Sequence, residues 1–284
     1  MKIAQNTLSA VEHYLQENLA SFYSSREIEI FSTFLIEDLL GVSKQERKRD
    51  IRLSESQLLT IIYACKDLKQ YIPIQYITGK IFFRDLEIHV NKSVLIPRPE
   101  TEELVSIIEK ENSNPSTIID FCTGSGCIAL ALKKYFSSSK ILASDISLDA
   151  LHVAKNNSNR LNLAVDFFED DALNSSAFKN IKASVIASNP PYVLESDKAE
   201  MAQNVLDHEP HLALFVPNDN ALKFYKSIAK TAFSLLEKGG KLYFEIHENK
   251  GKEIENLLLK EGFSDVRIIK DFYEKDRFAS ALKN

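Results

Sequence analysis

The chain has 284 residues, room for one large domain or two modest ones, with 44% hydrophobic and 26% charged residues and no low-complexity tract or repeat. A formal net charge of -5 and a sequence pI near 5.8 argue against a broad phosphate-binding surface. No apolar run approaches the ~20 residues needed to cross a bilayer, and Cys65, Cys122 and Cys127 make no disulfide framework, so a reducing cytoplasm is expected.

The N-terminus, Met1-Lys2-Ile3-Ala4-Gln5, turns polar at once and lacks the apolar core of a secretory signal. Residues 1–72 read as a helical domain. Leu8, Val11, Leu15 and Leu19 share one helix face, as do Ile28, Phe31, Leu35 and Leu39, with Gly41 as a stop. Ser54 and Gln57 have capping-box spacing, and Leu53 with Leu58 fits a hydrophobic staple, so a third helix begins there and runs through Ile61, Ile62 and Cys65. Lys44-Gln45-Glu46-Arg47-Lys48-Arg49 is short and broken by an acid, which suits a solvated face better than a nucleic-acid contact. A helical front domain without chemistry is a packing module or a docking domain for a macromolecular partner.

Residues 73–93 change character. Pro73, Gly79 and Asn91 punctuate β-rich segments such as Ile81-Phe82-Phe83 and Leu86-Glu87-Ile88-His89-Val90, which predicts a hairpin linker. Residues 94–284 then form the second domain. A helix carries Leu104, Val105 and Ile108, after which strand and helix signals alternate. Seven strands are expected, over 117–120, 140–145, 165–168, 183–188, 241–246, 266–269 and 278–282, with helices over 128–135 and 148–159. Continuous apolar strands alternating with helices indicate an α/β fold with a largely parallel sheet covered on both faces.

Asp120-Phe121-Cys122-Thr123-Gly124-Ser125-Gly126 joins the first of these strands to its helix, where open α/β sheets bind cofactors. Asp145 closes the next strand and can accept from both hydroxyls of a ribose. The same stretch satisfies the dinucleotide fingerprint G-x-G-x-x-A through Ala129. Asp120 favours S-adenosylmethionine over a pyrophosphate, because a carboxylate before the glycines repels phosphate but suits a cationic ligand. Asp171 and Ala172, after the third strand, would flank the adenine; a helix cap is the bland alternative.

Val185 to Ser188 runs into Asn189-Pro190-Pro191-Tyr192. Prolines fix φ and give up N–H donors, which leaves the carbonyls of Asn189 and Pro190 free. Two acceptors, the Asn189 side-chain oxygen and the Pro190 carbonyl, can hold both N–H bonds of a planar nitrogen, and Tyr192 can pack on the planar group. An amide nitrogen needs such help because its lone pair is delocalised. The chemistry by itself does not distinguish glutamine from adenine.

On these residues the chain resembles the HemK/PrmC protein-glutamine methyltransferases. The resemblance spans Pro73 to Gly79, Leu95-Ile-Pro-Arg-Pro-Glu-Thr-Glu102, Asp120 to Ala129, Ser188 to Tyr192, His208-Glu209-Pro210 and Asp276-Arg277. It implies a Rossmann-like seven-stranded methyltransferase domain, S-adenosylmethionine as cofactor and S-adenosylhomocysteine as product. It also implies class-1 peptide chain release factors as substrate, methylated on the glutamine of a Gly-Gly-Gln motif. Cys122, Thr123, Gly124, Ser125, Gly126, Asp145, Asp171, Ala172 and Asn189 would bind the cofactor. Asn189, Pro190, Pro191 and Tyr192 would hold the substrate amide, with Arg98, Glu100 and Thr101 walling the pocket. Cys122 stands where glycine is frequent, and Ala172 where an aromatic is frequent. Glutamine methylation of a ribosomal protein and adenine-N6 methylation of nucleic acid are the alternatives; the acidic balance disfavours the latter. A monomer with no metal is expected, His208 and His211 being too isolated to form a zinc site.

Overall fold

Ser24, Ser43 and Ser54 each accept a hydrogen bond from the backbone three residues on, while Glu27, Glu46 and Gln57 reach back to the cap nitrogen. These capping boxes satisfy orphan N–H groups at both positions. In the computed structural model, which describes residues 3–284, they start α2 (Ser25–Phe34), α3 (Lys44–Arg47) and α4 (Glu55–Leu68), after α1 (Leu8–Leu19). Met1 and Lys2, the head of the polar N-terminal stretch, lie outside the described residues. A π-helical turn over Leu35–Leu39 extends α2, and Gly41 ends it at φ +69°. Leu8, Val11, Leu15, Leu19, Ile28 and Leu35 are buried together with Leu53, Ile61 and Cys65, and Leu58 packs against them. Arg47 of the basic cluster is committed within this unit, 2.9 Å from Glu12 and 3.7 Å from Glu37.

The expected hairpin occupies only part of 73–93. Ile74–Thr78 is a short helix, α5, ended by Gly79 at φ +74°, and the strands are β1 (Lys80–Phe83) and β2 (Leu86–His89). By packing, residues up to Lys80 form one unit with Ala202–His208, and Ile81–Met201 with Glu209–Asn284 form the other. No local sequence signal marks the return of 202–208 to the helical unit, where His208 Nε2 donates to the Gln70 carbonyl at 2.7 Å.

In the second unit α6 (Pro99–Glu111) starts with proline and acids in its first turn, which suit the N-terminal dipole. There follow β3 (Thr117–Phe121), α7 (Cys127–Tyr135), β4 (Lys140–Asp145), α8 (Leu148–Leu161), β5 (Asp166–Glu169) and β6 (Ala183–Ser188). Next come β7 (Val193–Leu194), α9 (Gln203–His208, part of the helical unit), α10 (His211–Leu214) and β8 (Phe215–Val216). The chain ends with α11 (Lys223–Leu235), β9 (Leu236–Glu245), α12 (Gly251–Lys260), β10 (Ser264–Lys270) and β11 (Asp276–Leu282). The seven-stranded sheet has the order β10-β11-β9-β6-β3-β4-β5; β11 alone runs against the others, pairing antiparallel with both β10 and β9, and the pairs from β9 to β5 are parallel.

Ile119, Phe121, Ile186, Leu242 and Phe244 face a core shared with Tyr225, Ile228 and Ala232 of α11 and Ile254 and Leu258 of α12. Ile118, Val185 and Tyr243 alternate with that set and so face the other side, while α6, α7 and α8 bury residues including Leu104, Val105, Ala129, Leu132 and Leu151. Strand order reverses between β3 and β6: later strands are added on both sides of β3. A crevice therefore opens at the carboxyl ends of these strands, the usual ligand position in such sheets. Among the described residues no helix is long and apolar enough to cross a membrane.

Candidate active site

The turn after β3 is wound through three left-handed residues, Cys122 (φ +59°), Gly124 (φ +54°) and Gly126 (φ +82°). Cys122 thus adopts the conformation glycine would take, at a cost of about 1–3 kcal/mol that the surroundings must offset. They do so by tethering the turn: Thr123 N–H donates to Ser144 O at 2.9 Å, and Gly126 N–H to Thr123 O at 2.9 Å. The Thr123 hydroxyl donates to Asp120 Oδ2 at 2.6 Å. Asn157, fully buried on α8, donates from Nδ2 to Ser125 O at 3.0 Å and to His89 O at 2.9 Å, tying the turn to β2. Asp120 itself is fully buried, and burial pushes its carboxyl up to about 7, with the nearby Asp145 adding to the rise and the Thr123 hydroxyl opposing it.

A cavity of about 260 Å³ opens beside this turn, within the second unit. Cys122, Thr123, Gly124 and Ser125 line it after β3, Asp145 at the end of β4, Asp170 to Leu173 after β5, and Asn189 after β6. Asp145 is held by two backbone donors, Gly124 N–H on Oδ2 and Ser147 N–H on Oδ1, both at 2.9 Å. Burial nevertheless raises its carboxyl above the usual range. Asp171 accepts from Leu173 N–H and from Asn174 Nδ2. Its neighbour Asp170 accepts from Ser176 and Ala177 N–H on Oδ1, while its buried Oδ2 has no partner. Buried Asp120 Oδ1 is likewise unpartnered. Of the two, only Asp170 lines the cavity, and an unmatched buried acceptor in a carboxylate-lined cleft suits a ligand that brings hydrogen-bond donors and positive charge.

At the carboxyl ends of β6 and β9 the polar groups form a chain. Asn189 Nδ2 donates to Thr101 Oγ1 at 3.2 Å, the Thr101 hydroxyl donates to Glu245 Oε2 at 2.7 Å, and the Tyr192 hydroxyl donates to Glu245 Oε1 at 2.9 Å. Tyr225 donates to the Glu245 carbonyl at 3.1 Å. Burial raises the Glu245 carboxyl, and these two hydroxyl donors oppose that rise. Arg98 pairs with the buried Glu209 at 2.7 Å, whose other oxygen takes the Ile96 N–H at 3.2 Å.

Of the residues expected at the site, Arg98, Thr101, Cys122 to Ser125, Asp145, Asp171, Ala172, Asn189 and Pro191 line this one cavity. Glu100, Gly126, Pro190 and Tyr192 do not. Gly126 caps α7 instead, and Tyr192 turns its hydroxyl to Glu245 rather than toward the cavity. Asp170, Lys223, Phe224 and Glu245 were not anticipated from sequence, and Glu209 was read there only as part of a motif, without a role. Glu245 alone carries a readable signal, an acid closing an apolar strand just as Asp145 does. The others reach the site through tertiary packing. No group of three or more His, Cys, Asp or Glu among the described residues is arranged to hold a metal ion.

The family described as Methyltransferase small domain matches residues 99–212. A release factor glutamine methyltransferase of Bacteroides thetaiotaomicron is 40% identical over 279 residues, covering 96% of this chain and 99% of that protein. Its counterpart from Flavobacterium psychrophilum is 40% identical over 266 residues, covering 91% and 93%. Among solved structures, a methyltransferase from Pyrococcus furiosus has a TM-score of 0.53 over 81% of this chain and 100% of that one, at 19% identity, a likeness of fold.

Proposed function

This chain belongs to the release factor glutamine methyltransferase family, and from that premise we propose that it methylates the side-chain amide nitrogen of the glutamine in the Gly-Gly-Gln motif of class-1 peptide chain release factors. The observation that carries the reading is the Asn189 carboxamide. Its nitrogen is committed to Thr101, so its oxygen is the atom left to accept from a substrate, at the rim of an acid-lined cavity.

The residues present fit S-adenosylmethionine. The orphan oxygen on Asp170 and the tethered carboxylate of Asp145, both lining the cavity, suit a cationic ligand with a ribose and an amino-purine. When bound, that group supplies a methyl on a positively charged sulfur. Cys122 to Ser125 would form the wall that holds it, with Gly126 fixing the turn as the cap of α7; Asp145 would accept from the ribose hydroxyls, and Asp170 with Asp171 and Ala172 would take the adenine side. Asn189 Oδ1 and the Pro190 carbonyl accept the two amide N–H bonds, holding the nitrogen's face toward the donor. Positioning does most of the work, because a delocalised lone pair reacts only along a restricted approach. Once alkylated the nitrogen is acidic and releases its proton without a base residue. Tyr192 has its hydroxyl tied to Glu245, which fixes its ring to pack on the planar amide of the substrate. Pro191 closes the wall beside Asn189, and Arg98, held by Glu209, borders the cavity.

The test is direct. Labelled S-adenosylmethionine is offered with release factor, ribosomal protein or DNA in turn, and label is expected on the release-factor glutamine. Label on DNA with none on release factor would sink the reading. Asn189→Ala should abolish transfer, and binding of S-adenosylmethionine measured by calorimetry should largely persist.

A further inference from the structure

A carboxamide can present either its oxygen or its nitrogen, and the two orientations have nearly the same shape. If Asn189 presented its nitrogen, a substrate N–H would meet a donor. What fixes the orientation lies behind it, on strands and helices far apart in sequence. Glu245 ends β9 at 1% exposure and makes no ion pair among the described residues. Its two carboxylate oxygens receive the hydroxyls of Tyr192 and Thr101 at 2.9 and 2.7 Å. Ionised, Glu245 has no hydrogen to give, and both hydroxyls then donate to it.

The Thr101 hydroxyl has a single hydrogen. Once that hydrogen is given to Glu245, the Thr101 oxygen can only accept from Asn189, 3.2 Å away. An acceptor there admits the carboxamide nitrogen and repels its oxygen. The orientation of Asn189 is thus set by a carboxylate it does not touch.

We propose that Glu245 is a positioning residue that fixes the polarity of the Asn189 carboxamide through the Thr101 hydroxyl, so that an acceptor faces the substrate amide. The inference rests on the amide-methylation reading above. Glu245→Gln keeps the shape but supplies an amide that can donate to Thr101, which frees the threonine hydrogen to turn toward Asn189 and allows the carboxamide to flip. Thr101→Val removes the relay outright, while Thr101→Ser retains it.

The experiment measures steady-state kinetics on release factor and cofactor affinity by calorimetry for Glu245→Gln, Thr101→Val, Thr101→Ser and the double variant Glu245→Gln/Thr101→Val. Expected is a fall in kcat of roughly 10²-fold for Glu245→Gln and for Thr101→Val, the size of loss that small misplacements of a reacting group produce. Cofactor affinity should stay within about twofold, Thr101→Ser should recover most of the rate, and the double variant should be no slower than Thr101→Val alone. Additive losses in the double variant, or a Thr101→Val enzyme with unchanged kcat, overturn the inference. Should Glu245→Gln fail to fold, the contrast of Thr101→Val with Thr101→Ser still decides it. A wild-type protein that leaves release factor unlabelled refutes the substrate reading instead. In that case the side-chain amide resonance of Asn189, identified by its loss in Asn189→Asp, still tests the polarity. It must shift in Thr101→Val and keep its place in Thr101→Ser; no shift in Thr101→Val overturns the inference.

Discussion

Replacing Asp120 by asparagine isolates the cost of a buried carboxylate at the head of the glycine turn. Asp120 has no exposed surface, one oxygen bonded to Thr123 and the other unpartnered. Burial is the largest cause of its rise from 3.8 to about 7. At about 1.36 kcal/mol per pH unit, that rise corresponds to about 4 kcal/mol between the two protonation states. Because the folded value is raised, the folded protein holds a proton that the unfolded chain has already released between pH 3.8 and about 7. The stabilisation from this proton is complete below 3.8 and is lost as pH rises through about 7. Asparagine has nearly the same shape, can accept from Thr123 and does not titrate. The stability of Asp120→Asn relative to wild type should therefore improve by about 4 kcal/mol from pH 4 to pH 8, the other carboxyls being common to both proteins and largely cancelling in the difference. Urea unfolding at fixed ionic strength, followed by far-ultraviolet circular dichroism because the chain has no tryptophan, reads this directly. A stability difference that stays constant across the pH range would refute the reasoning, since it would mean Asp120 is ionised throughout.

Gly126→Ala would place a methyl group 3.2 Å from Ala154 Cβ and 3.3 Å from Leu130 Cδ1 at φ +82°. It should cost about 1–3 kcal/mol in thermal unfolding and weaken S-adenosylmethionine binding in calorimetry; unchanged values for both would show that the turn tolerates a side chain. Phe178, 1% exposed, packs edge-on against Phe121 and Phe168 at 5.3 and 5.4 Å. Phe178→Ala should lose about 3–5 kcal/mol in urea unfolding. Burial raises the thiols of Cys65, Cys122 and Cys127, the last to about 12, so native protein at pH 8 should resist iodoacetamide and become labelled only in denaturant. Rapid labelling of the native protein, located by peptide mass spectrometry, would contradict that expectation.

What the sequence determined by itself is local. The Ser54–Gln57 capping box, the buried strands and the glycine turn depend on residues within a few positions of one another, so periodicity and turn chemistry expose them. Asn189-Pro190-Pro191-Tyr192 was legible as an acceptor-rich strand end for the same reason. Tertiary structure alone decided how those parts are oriented. Residues 202–208 join the helical unit, and Asp170 beside Asp171 holds the unpartnered oxygen in the cavity. Tyr192 turns to Glu245, and the Asn189 carboxamide takes its polarity from a carboxylate reached through Thr101. Thr101 and Glu245 stand 144 positions apart. A hydrogen bond between side chains on separate elements leaves no trace in local spacing, because either partner by itself looks like an ordinary polar residue at the end of a strand or the start of a helix.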